Sequence, residues 1–512
     1  MKKQDITKTI ISGSKTASAV ILAMILALVA MPALAAKPQV TDMSITDAVE
    51  DELAYDSAVP ALLIDVMTTD GIVTLSGSVD NILAKERAAR IAKTVKGVRA
   101  VVDEIHVNTP VQRTDRQIRE DVEQALLIDP ATNSYEVSVQ VKENVVTLLG
   151  TVESWQEKDL CEIVAKGVKG VEGVDNKLLI TWPEKRSDPE IEAEVKETLK
   201  WDAKVDHGLI DVKVKDGKVI LSGTVGSAAE KNFADRDAYV QGVTSVDASD
   251  LKVGRWSRDN DMKEGKYVKK SAEEIEDAVN DAMRYDPRVF SFEVIPEIAP
   301  DGTTLILRGT VDNLKAKRAA TQDARDTVGV KRVDNRIDVR PTILISDQKI
   351  EDKVKSAILR DPYLESYAIS VDVKNGVVKL HGTVDTSFEK AEADDVASRV
   401  EGVIMIDNNL GVQQEYHPYI CDPYVDDSSI YENDWYYYRP SLVSKSDRQI
   451  KADIKKELFW SPYVDADDVK VEVEKGVATL TGTVDSWSES NAAVNNAYEG
   501  GAVYVDNELN VK

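Results

Sequence analysis

Residues 71–79 read GIVTLSGSV, a turn followed by an apolar strand with a glycine near its middle. The pattern returns at residues 144–152, 217–225, 302–311, 376–384 and 476–484, and the fourth copy carries one extra residue. A further glycine follows each mid-strand glycine after about twenty residues, and a strand-like segment comes next. Repetition at a constant spacing predicts an array of six copies of one structural unit.

The residues around each copy predict the rest of the unit. A helix precedes it, with apolar residues at i, i+4 and i+8, as in Ile118, Val122 and Leu126. Alternating apolar residues in segments such as 137–141 predict a half-buried strand, and a second amphipathic helix, such as residues 81–96, follows the repeated strand. The fold class is therefore α/β (α+β): tandem αββαβ modules, each a three-stranded mixed sheet covered by two helices.

The repeated glycines are interpreted as structural, because tight turns, close backbone approaches and helix ends favour a residue without a side chain. They are Gly71, Gly77, Gly97, Gly150, Gly170, Gly217, Gly223, Gly242, Gly302, Gly309, Gly329, Gly376, Gly382, Gly402, Gly476, Gly482 and Gly501.

The N-terminus predicts an export signal peptide over residues 1–35. A basic leader precedes an apolar run at residues 19–31, and Ala33-Leu34-Ala35 forms a small-x-small cleavage site. The run is shorter than the roughly 20 residues of a membrane span, so cleavage and a periplasmic location are favoured over an uncleaved anchor. Removing the leader, with four Lys and one Asp, takes the net charge from −26 to −29. Such a charge keeps a protein soluble and argues against nucleic acid as a partner.

The predicted organisation is then a signal peptide (1–35), module 1 (41–108), module 2 (114–181), module 3 (187–253), a linker (254–270), module 4 (271–340), module 5 (346–412), an aromatic-rich insertion (413–445) and module 6 (446–512).

The repeated strand and the later segment resemble the BON domain (bacterial OsmY and nodulation). The first matches Gly-Val-Val-x-Leu-x-Gly-Thr-Val, and the second reads GVKRVDN at residues 329–335. The resemblance covers nearly all of the chain after the leader. It implies αββαβ modules in an envelope protein linked to osmotic stress and membrane integrity, and some members of the family bind anionic phospholipid.

Catalysis is not expected. His106, His207, His381 and His417 fall at four unrelated repeat positions, whereas a shared mechanism would place its acid or base at one. The two cysteines lie in different segments and form no disulfide framework or zinc cluster. The acidic residues 259–261 lack the glycine and the distal Glu of an EF-hand loop. The chain is therefore predicted to be no enzyme and to need no cofactor or metal.

Binding to an anionic phospholipid membrane surface is the favoured hypothesis, and it would need local basic patches on this acidic chain. The candidate lipid-contact residues are Lys85, Arg87, Arg90 and Lys93 on one second helix, and Lys315, Lys317, Arg318 and Arg325 on another. The alternative is an ordinary solvated helix face, since Glu86 and Arg90 are spaced as an i,i+4 pair.

Aromatic residues at the end of the first helix form a second set of candidates. Tyr55, Trp201, Tyr285 and Trp460 occupy one equivalent position outside the main core stripe. Such residues suit a membrane interface, but they can equally close the helix end against the next module.

The competing function is a structural or protein-interaction array in the envelope, without lipid affinity. The partners would be envelope proteins, and the insertion at 413–445 would supply a contact patch or pack over a neighbouring module. Flotation with anionic and neutral liposomes separates the two hypotheses.

Overall fold

The computed structural model describes residues 39–110, 112–132, 136–182, 185–254, 260–289, 293–413, 422–426 and 445–512. The predicted signal peptide and most of the aromatic-rich insertion lie outside these residues. Residues Val40–Lys512 form one compact unit that contains all six modules. Among the described residues, none of the helices combines the length and the apolar character of a membrane span.

Each module repeats the order helix, strand, strand, helix, strand. Module 1 contains α1 (Asp42–Tyr55), β1 (Ile64–Thr69), β2 (Ile72–Val79), α2 (Ile82–Lys93) and β3 (Ala100–Val107). Module 2 contains α3 (Asp115–Ile128), β4 (Val137–Lys142), β5 (Val145–Val152), α4 (Trp155–Lys166), β6 (Gly173–Asn176) and β7 (Leu179–Ile180). Module 3 contains α5 (Asp188–Trp201), β8 (Ile210–Lys215), β9 (Lys218–Val225), α6 (Ala228–Asp237) and β10 (Ser245–Val253).

The second half follows the same plan after a short linker helix, α7 (Asn260–Lys263). Module 4 contains α8 (Ala272–Tyr285), β11 (Val294–Ile298), β12 (Thr304–Val311), α9 (Leu314–Asp326) and β13 (Arg332–Val339). Module 5 contains α10 (Asp347–Arg360), β14 (Ile369–Lys374), β15 (Val377–Val384), α11 (Ser387–Ser398) and β16 (Met405–Val412). Module 6 contains α12 (Asp447–Trp460), β17 (Val469–Glu474), β18 (Val477–Val484), α13 (Trp487–Glu499) and β19 (Tyr504–Val511).

The repeated strand is the middle strand of every sheet. In module 1, β2 pairs antiparallel with β1 and parallel with β3. The other modules have the same pairing, except that the third strand of module 2 is broken into β6 and β7, which both pair with β5. The predicted mixed α/β fold of tandem modules is confirmed.

The two helices of each module bury one face of its sheet. The stripe predicted for module 2 is fully covered, since Ile118, Val122 and Leu126 are at most 1 % exposed. The strands alternate between buried and accessible residues, so the opposite face of the sheet carries the more exposed side chains. Each module therefore has an inner helical layer and an outer sheet.

An aspartate at the start of the first helix holds the hairpin turn. In module 1, the Asp42 carboxylate accepts hydrogen bonds from the backbone N–H groups of Asp70 (2.8 Å) and Gly71 (2.9 Å). Asp115, Asp188, Asp347 and Asp447 do the same in modules 2, 3, 5 and 6. The sequence analysis missed this contact, although an aspartate recurs at a fixed distance before the turn.

The end of the second helix differs from the prediction. Helix α2 ends at Lys93 rather than at Lys96, and Thr94 is its C-cap residue. Gly97 lies in the turn that follows, with φ of 92°. The glycine therefore shapes the turn into the third strand, and the prediction that it caps the helix is wrong.

Candidate functional site at the module interfaces

None of the twelve predicted lipid-contact side chains is exposed. Arg87, Arg318 and Trp460 are buried, with 5 %, 6 % and 4 % of their surface accessible. The others are half-buried, namely Tyr55, Lys85, Arg90, Lys93, Trp201, Tyr285, Lys315, Lys317 and Arg325. The prediction of two open basic patches is therefore corrected, and the physical reason is that these helices face other modules.

The modules form three pairs through one recurring backbone hydrogen bond. The Lys96 N–H donates to the Trp460 carbonyl (2.8 Å), which joins modules 1 and 6. Lys169 donates to Arg360 (2.6 Å) between modules 2 and 5, and Val328 donates to Trp201 (2.9 Å) between modules 4 and 3. Each donor directly precedes the glycine after the second helix, and each acceptor is the last residue of a first helix.

This pairing explains the aromatic residues at the helix ends. Trp460 and Trp201 lie where one module meets another, and the Tyr285 hydroxyl of module 4 bonds to the Glu194 carboxylate of module 3. For Trp201, Tyr285 and Trp460, the structure favours the interpretation in which the end of the first helix meets another module.

Two arginines of the first predicted basic patch contact residues Asp422–Asp426, which we call the strap. Arg87 contacts Asp56 of its own module at 2.7 Å and Asp426 of the strap at 2.5 Å. The Arg90 Nε donates to the backbone carbonyl of Val425 at 3.1 Å. The guanidinium groups of Arg87 and Arg90 therefore bind oxygen atoms supplied by the insertion between modules 5 and 6.

Aromatic packing fixes the strap in place. The Tyr424 ring stacks on Tyr463 of module 6 with ring centroids 3.4 Å apart, and it meets Phe233 of module 3 edge-on at 6.2 Å. Tyr424, Val425 and Asp426 are all less than a tenth exposed. The strap thus contacts modules 1, 3 and 6 at once; the other aromatic residues of the insertion lie outside the described residues.

The second basic patch is occupied in a similar way. Arg318 binds Asp394 of module 5 at 2.6 Å, with 8 % and 1 % of the two side chains accessible. Arg325 lies over the Trp487 ring of module 6 at 4.7 Å. Burial lowers the pKa of Lys315 to about 8, and the neighbouring Arg399 adds to this effect.

Two of the predicted lysines occupy a recurring structural position. The Lys85 ammonium donates to the Ile105 carbonyl of β3 at 2.6 Å, and Lys158 and Lys231 make the same contact in modules 2 and 3 at 2.7 and 2.8 Å. Lys317 holds the equivalent position in module 4. Lys85 and Lys317 are predicted lipid-contact residues, whereas in three modules the lysine at this position ties the second helix to the third strand.

Buried carboxyl groups accumulate at the same interfaces. A partly open cavity of about 1150 Å³ lies between modules 1 to 4, and acidic side chains in its lining outnumber basic ones by twelve to seven. Burial raises the pKa of Asp237 well above its usual range, and the neighbouring Asp202 raises it further. Burial and the neighbouring Asp286 likewise raise the pKa of Asp323. In the described residues, no group of His, Cys, Asp and Glu side chains is arranged to hold a metal ion.

The strap gives a pH prediction through Asp422, whose pKa burial raises to about 6 and the Asp426 carboxylate raises further. Arg87 and Lys204 oppose this rise, and Glu52 faces the same group with its own pKa raised. Because the folded state favours protonated Asp422, its contribution to stability is present at low pH and is lost as pH rises from about 4 to about 6. The shift corresponds to about 3 kcal/mol.

We therefore expect Asp422→Asn, which keeps the acceptor for the Tyr424 N–H, to flatten the decline in melting temperature between pH 4 and pH 7. Asp250→Asn is the control, since this side chain is 75 % exposed on module 3. The prediction is contradicted if the melting temperature falls equally steeply with pH in the Asp422→Asn chain and in the wild-type chain.

These features define a class of protein built from tandem α/β modules that dock through their helical layers. The family model of the BON domain matches residues 41–109, 114–181, 187–255, 271–341, 346–414 and 446–512. The chain belongs to the BON domain family, and the predicted six tandem copies are confirmed.

Curated relatives match about a quarter of the chain. The Osmotically-inducible protein Y of Escherichia coli (strain K12) is 34 % identical over 143 residues, which cover 27 % of this chain and 71 % of that protein. The Outer membrane lipoprotein DolP of Haemophilus influenzae is 30 % identical over 135 residues, covering 26 % and 69 %. Among solved structures, the C-terminal domain of CdsD, a structural protein of the Type III secretion system of Chlamydia trachomatis, aligns with 42 % of this chain and all of that chain. Its identity is 14 % and its TM-score is 0.12.

Proposed function

We propose that this chain is a periplasmic protein of the bacterial envelope that acts by binding rather than by catalysis, in osmotic stress or envelope maintenance. Its six modules act together as one interaction scaffold for envelope partners. The names of the relatives support an osmotic and envelope setting, because one is called osmotically inducible and the other an outer membrane lipoprotein. The predicted export signal supports the same location.

The observation that carries the scaffold proposal is the occlusion of the helices. Several of the residues that would meet a membrane instead join modules to one another, as Arg87 and Trp460 illustrate. The surfaces that remain available include the outer faces of the sheets and exposed residues of the first helices, such as Arg116 and Leu127. The whole chain carries −26. An anionic membrane repels such a chain unless basic patches are accessible.

The test is liposome flotation of the intact protein with phosphatidylglycerol-containing vesicles and with pure phosphatidylcholine vesicles. We expect the wild-type chain to stay with the soluble fraction in both cases at physiological salt. Salt-sensitive flotation of the wild-type chain on the anionic vesicles alone would contradict the scaffold proposal, because it would mean that the closed assembly already presents a lipid-binding surface.

Phospholipid binding is the second candidate function, and one observation favours it. The guanidinium groups of Arg87 and Arg318 each hold a carboxylate from another part of the chain, at 2.5 and 2.6 Å. Arginine binds carboxylate and phosphate with similar geometry, so these groups are competent anion sites. They would act on lipid once those carboxylates are displaced.

A further inference from the structure

We propose that Arg87 and Arg90 form a binding site for the phosphate group of anionic phospholipids, and that the strap Asp422–Asp426 occupies this site and inhibits it. The inference rests on the second candidate function and names the site and its regulation. The chain would thus have a closed form, in which its own carboxylate takes the place of the headgroup, and an open form that binds membranes.

The contacts of the strap resemble those of an anionic ligand. Asp426 directs both carboxylate oxygens toward Arg87, at 2.5 Å from Nη1 and 3.5 Å from Nη2. The backbone carbonyl of Val425, the residue before Asp426, accepts a hydrogen bond from the Arg90 Nε. Two successive residues of the strap therefore supply oxygen atoms to two guanidinium groups that lie one helical turn apart.

At this site, module 1 supplies more cationic side chains than acidic partners to neutralise them. Within module 1, Arg87 has Asp56 as its acidic partner. Glu86, which is spaced to pair with Arg90, instead binds Lys166 of module 2 at 2.6 Å. Lys93 lies nearby, and burial together with the charge of Arg90 lowers its pKa. Removing the strap would leave a basic face that attracts an external anion.

The position of the strap in the sequence supports a regulatory role. Each module pairs the strands of its own sheet, whereas Tyr424 and Val425 of the strap pack into one apolar core that modules 1, 3 and 6 share. The strap belongs to an insertion with no counterpart between the other modules. Asp426 of the strap binds Arg87, which lies 339 residues earlier in the sequence. Displacing the strap removes contacts with modules 1, 3 and 6 while the module sheets keep their own pairing.

The test uses the full chain with Tyr424→Ala and Asp426→Asn combined, which removes the ring stacked on Tyr463 and the carboxylate on Arg87. The control combines Tyr367→Ala and Asp250→Asn, the same chemical changes at side chains that are exposed elsewhere. Hydrogen exchange at residues 422–426 and in α2 reports opening. Flotation with phosphatidylglycerol-containing and pure phosphatidylcholine vesicles reports lipid binding, and a thermal shift with inorganic phosphate reports capture of a free ion.

We expect faster exchange in the strap variant and about thirtyfold tighter binding to the anionic vesicles than for the wild-type or control chain. That factor corresponds to two cations that each contribute about 1 kcal/mol at an anionic surface. Binding should fall in high salt, and adding Arg87→Gln with Arg90→Gln to the strap variant should remove it.

Each other outcome overturns the inference at a separate point. Unchanged exchange means that these residues do not hold the strap. Faster exchange without vesicle binding rejects lipid binding itself, and a response to inorganic phosphate alone assigns the site to a free ion. Equal vesicle binding by the wild-type chain keeps lipid binding but rejects inhibition by the strap, as does a gain that survives the loss of Arg87 and Arg90.

Discussion

Gly309→Ala is expected to lower the stability of module 4 by about 4 kcal/mol. Gly309 has φ of 127°, a region that a residue with a side chain rarely adopts, at a cost of about 1–3 kcal/mol. A Cβ atom at this position would lie 1.8 Å from the backbone carbonyl oxygen of Glu293, next to the first strand. Relieving that overlap requires the two strands to separate, which costs about a further 1–3 kcal/mol.

The matched control is Gly173→Ala on the third strand of module 2. A Cβ atom there meets only the Val145 side chain, at 3.6 Å, which is an ordinary contact. We expect this change to alter stability by less than about 1 kcal/mol. Denaturant melting gives the total effect, and hydrogen exchange of β11 and β12 locates it. Equal stability of the two variants would show that the mid-strand glycine is not required for the strand pairing.

The module fold was predictable because its signals are local and occur six times. The stripe of the first helix, the hairpin glycines and the alternating strands each report a contact within about 65 residues. The mid-strand glycine was correctly expected to allow a close approach, and the structure identifies the approaching group as the backbone before the first strand, such as Leu63 O in module 1.

The interfaces between modules were not predictable in the same way. Arg87 and Asp426 are 339 positions apart, and no periodic pattern connects them. Charged residues on a helix face resemble a solvated surface, whether they meet water or a carboxylate of another module. A signal did exist in the repeats: a lysine recurs at the position of Lys85, Lys158 and Lys231, and a constant charge at one repeat position indicates a structural contact.

The same limit applies to the predicted lipid-contact residues. The sequence of a basic second helix is the same whether that helix faces solvent or another module. A module of about 65 residues buries little surface by itself, so neighbours that cover its helices add stability. The residues with the highest local positive charge were therefore also the ones best able to join modules through buried carboxylates, as Arg87 and Arg318 do.

Asp394→Ala is expected to destabilise the contact between modules 4 and 5 by about 3–5 kcal/mol. The change leaves the Arg318 guanidinium buried without the carboxylate that lies 2.6 Å from it, and a buried charge that loses its partner is strongly unfavourable. Burial raises the pKa of Asp394, and the Arg318 guanidinium lowers it. The ionised carboxylate is therefore disfavoured by desolvation and favoured by its attraction to Arg318. Removing both charges together removes both effects.

The double variant Arg318→Met with Asp394→Leu should therefore regain most of the stability that Asp394→Ala loses. The control is Asp334→Ala, which removes the partner of Arg336 from a pair of the same type with 52 % and 39 % of the side chains accessible. That change is expected to cost less than about 1 kcal/mol, because water replaces the lost carboxylate. Denaturant melting of the four chains, with hydrogen exchange of α9 and α11, decides the matter. If Asp394→Ala and Asp334→Ala have equal effects, the buried pair does not hold the two modules together, and the docking of helical layers would have to depend on the apolar contacts alone.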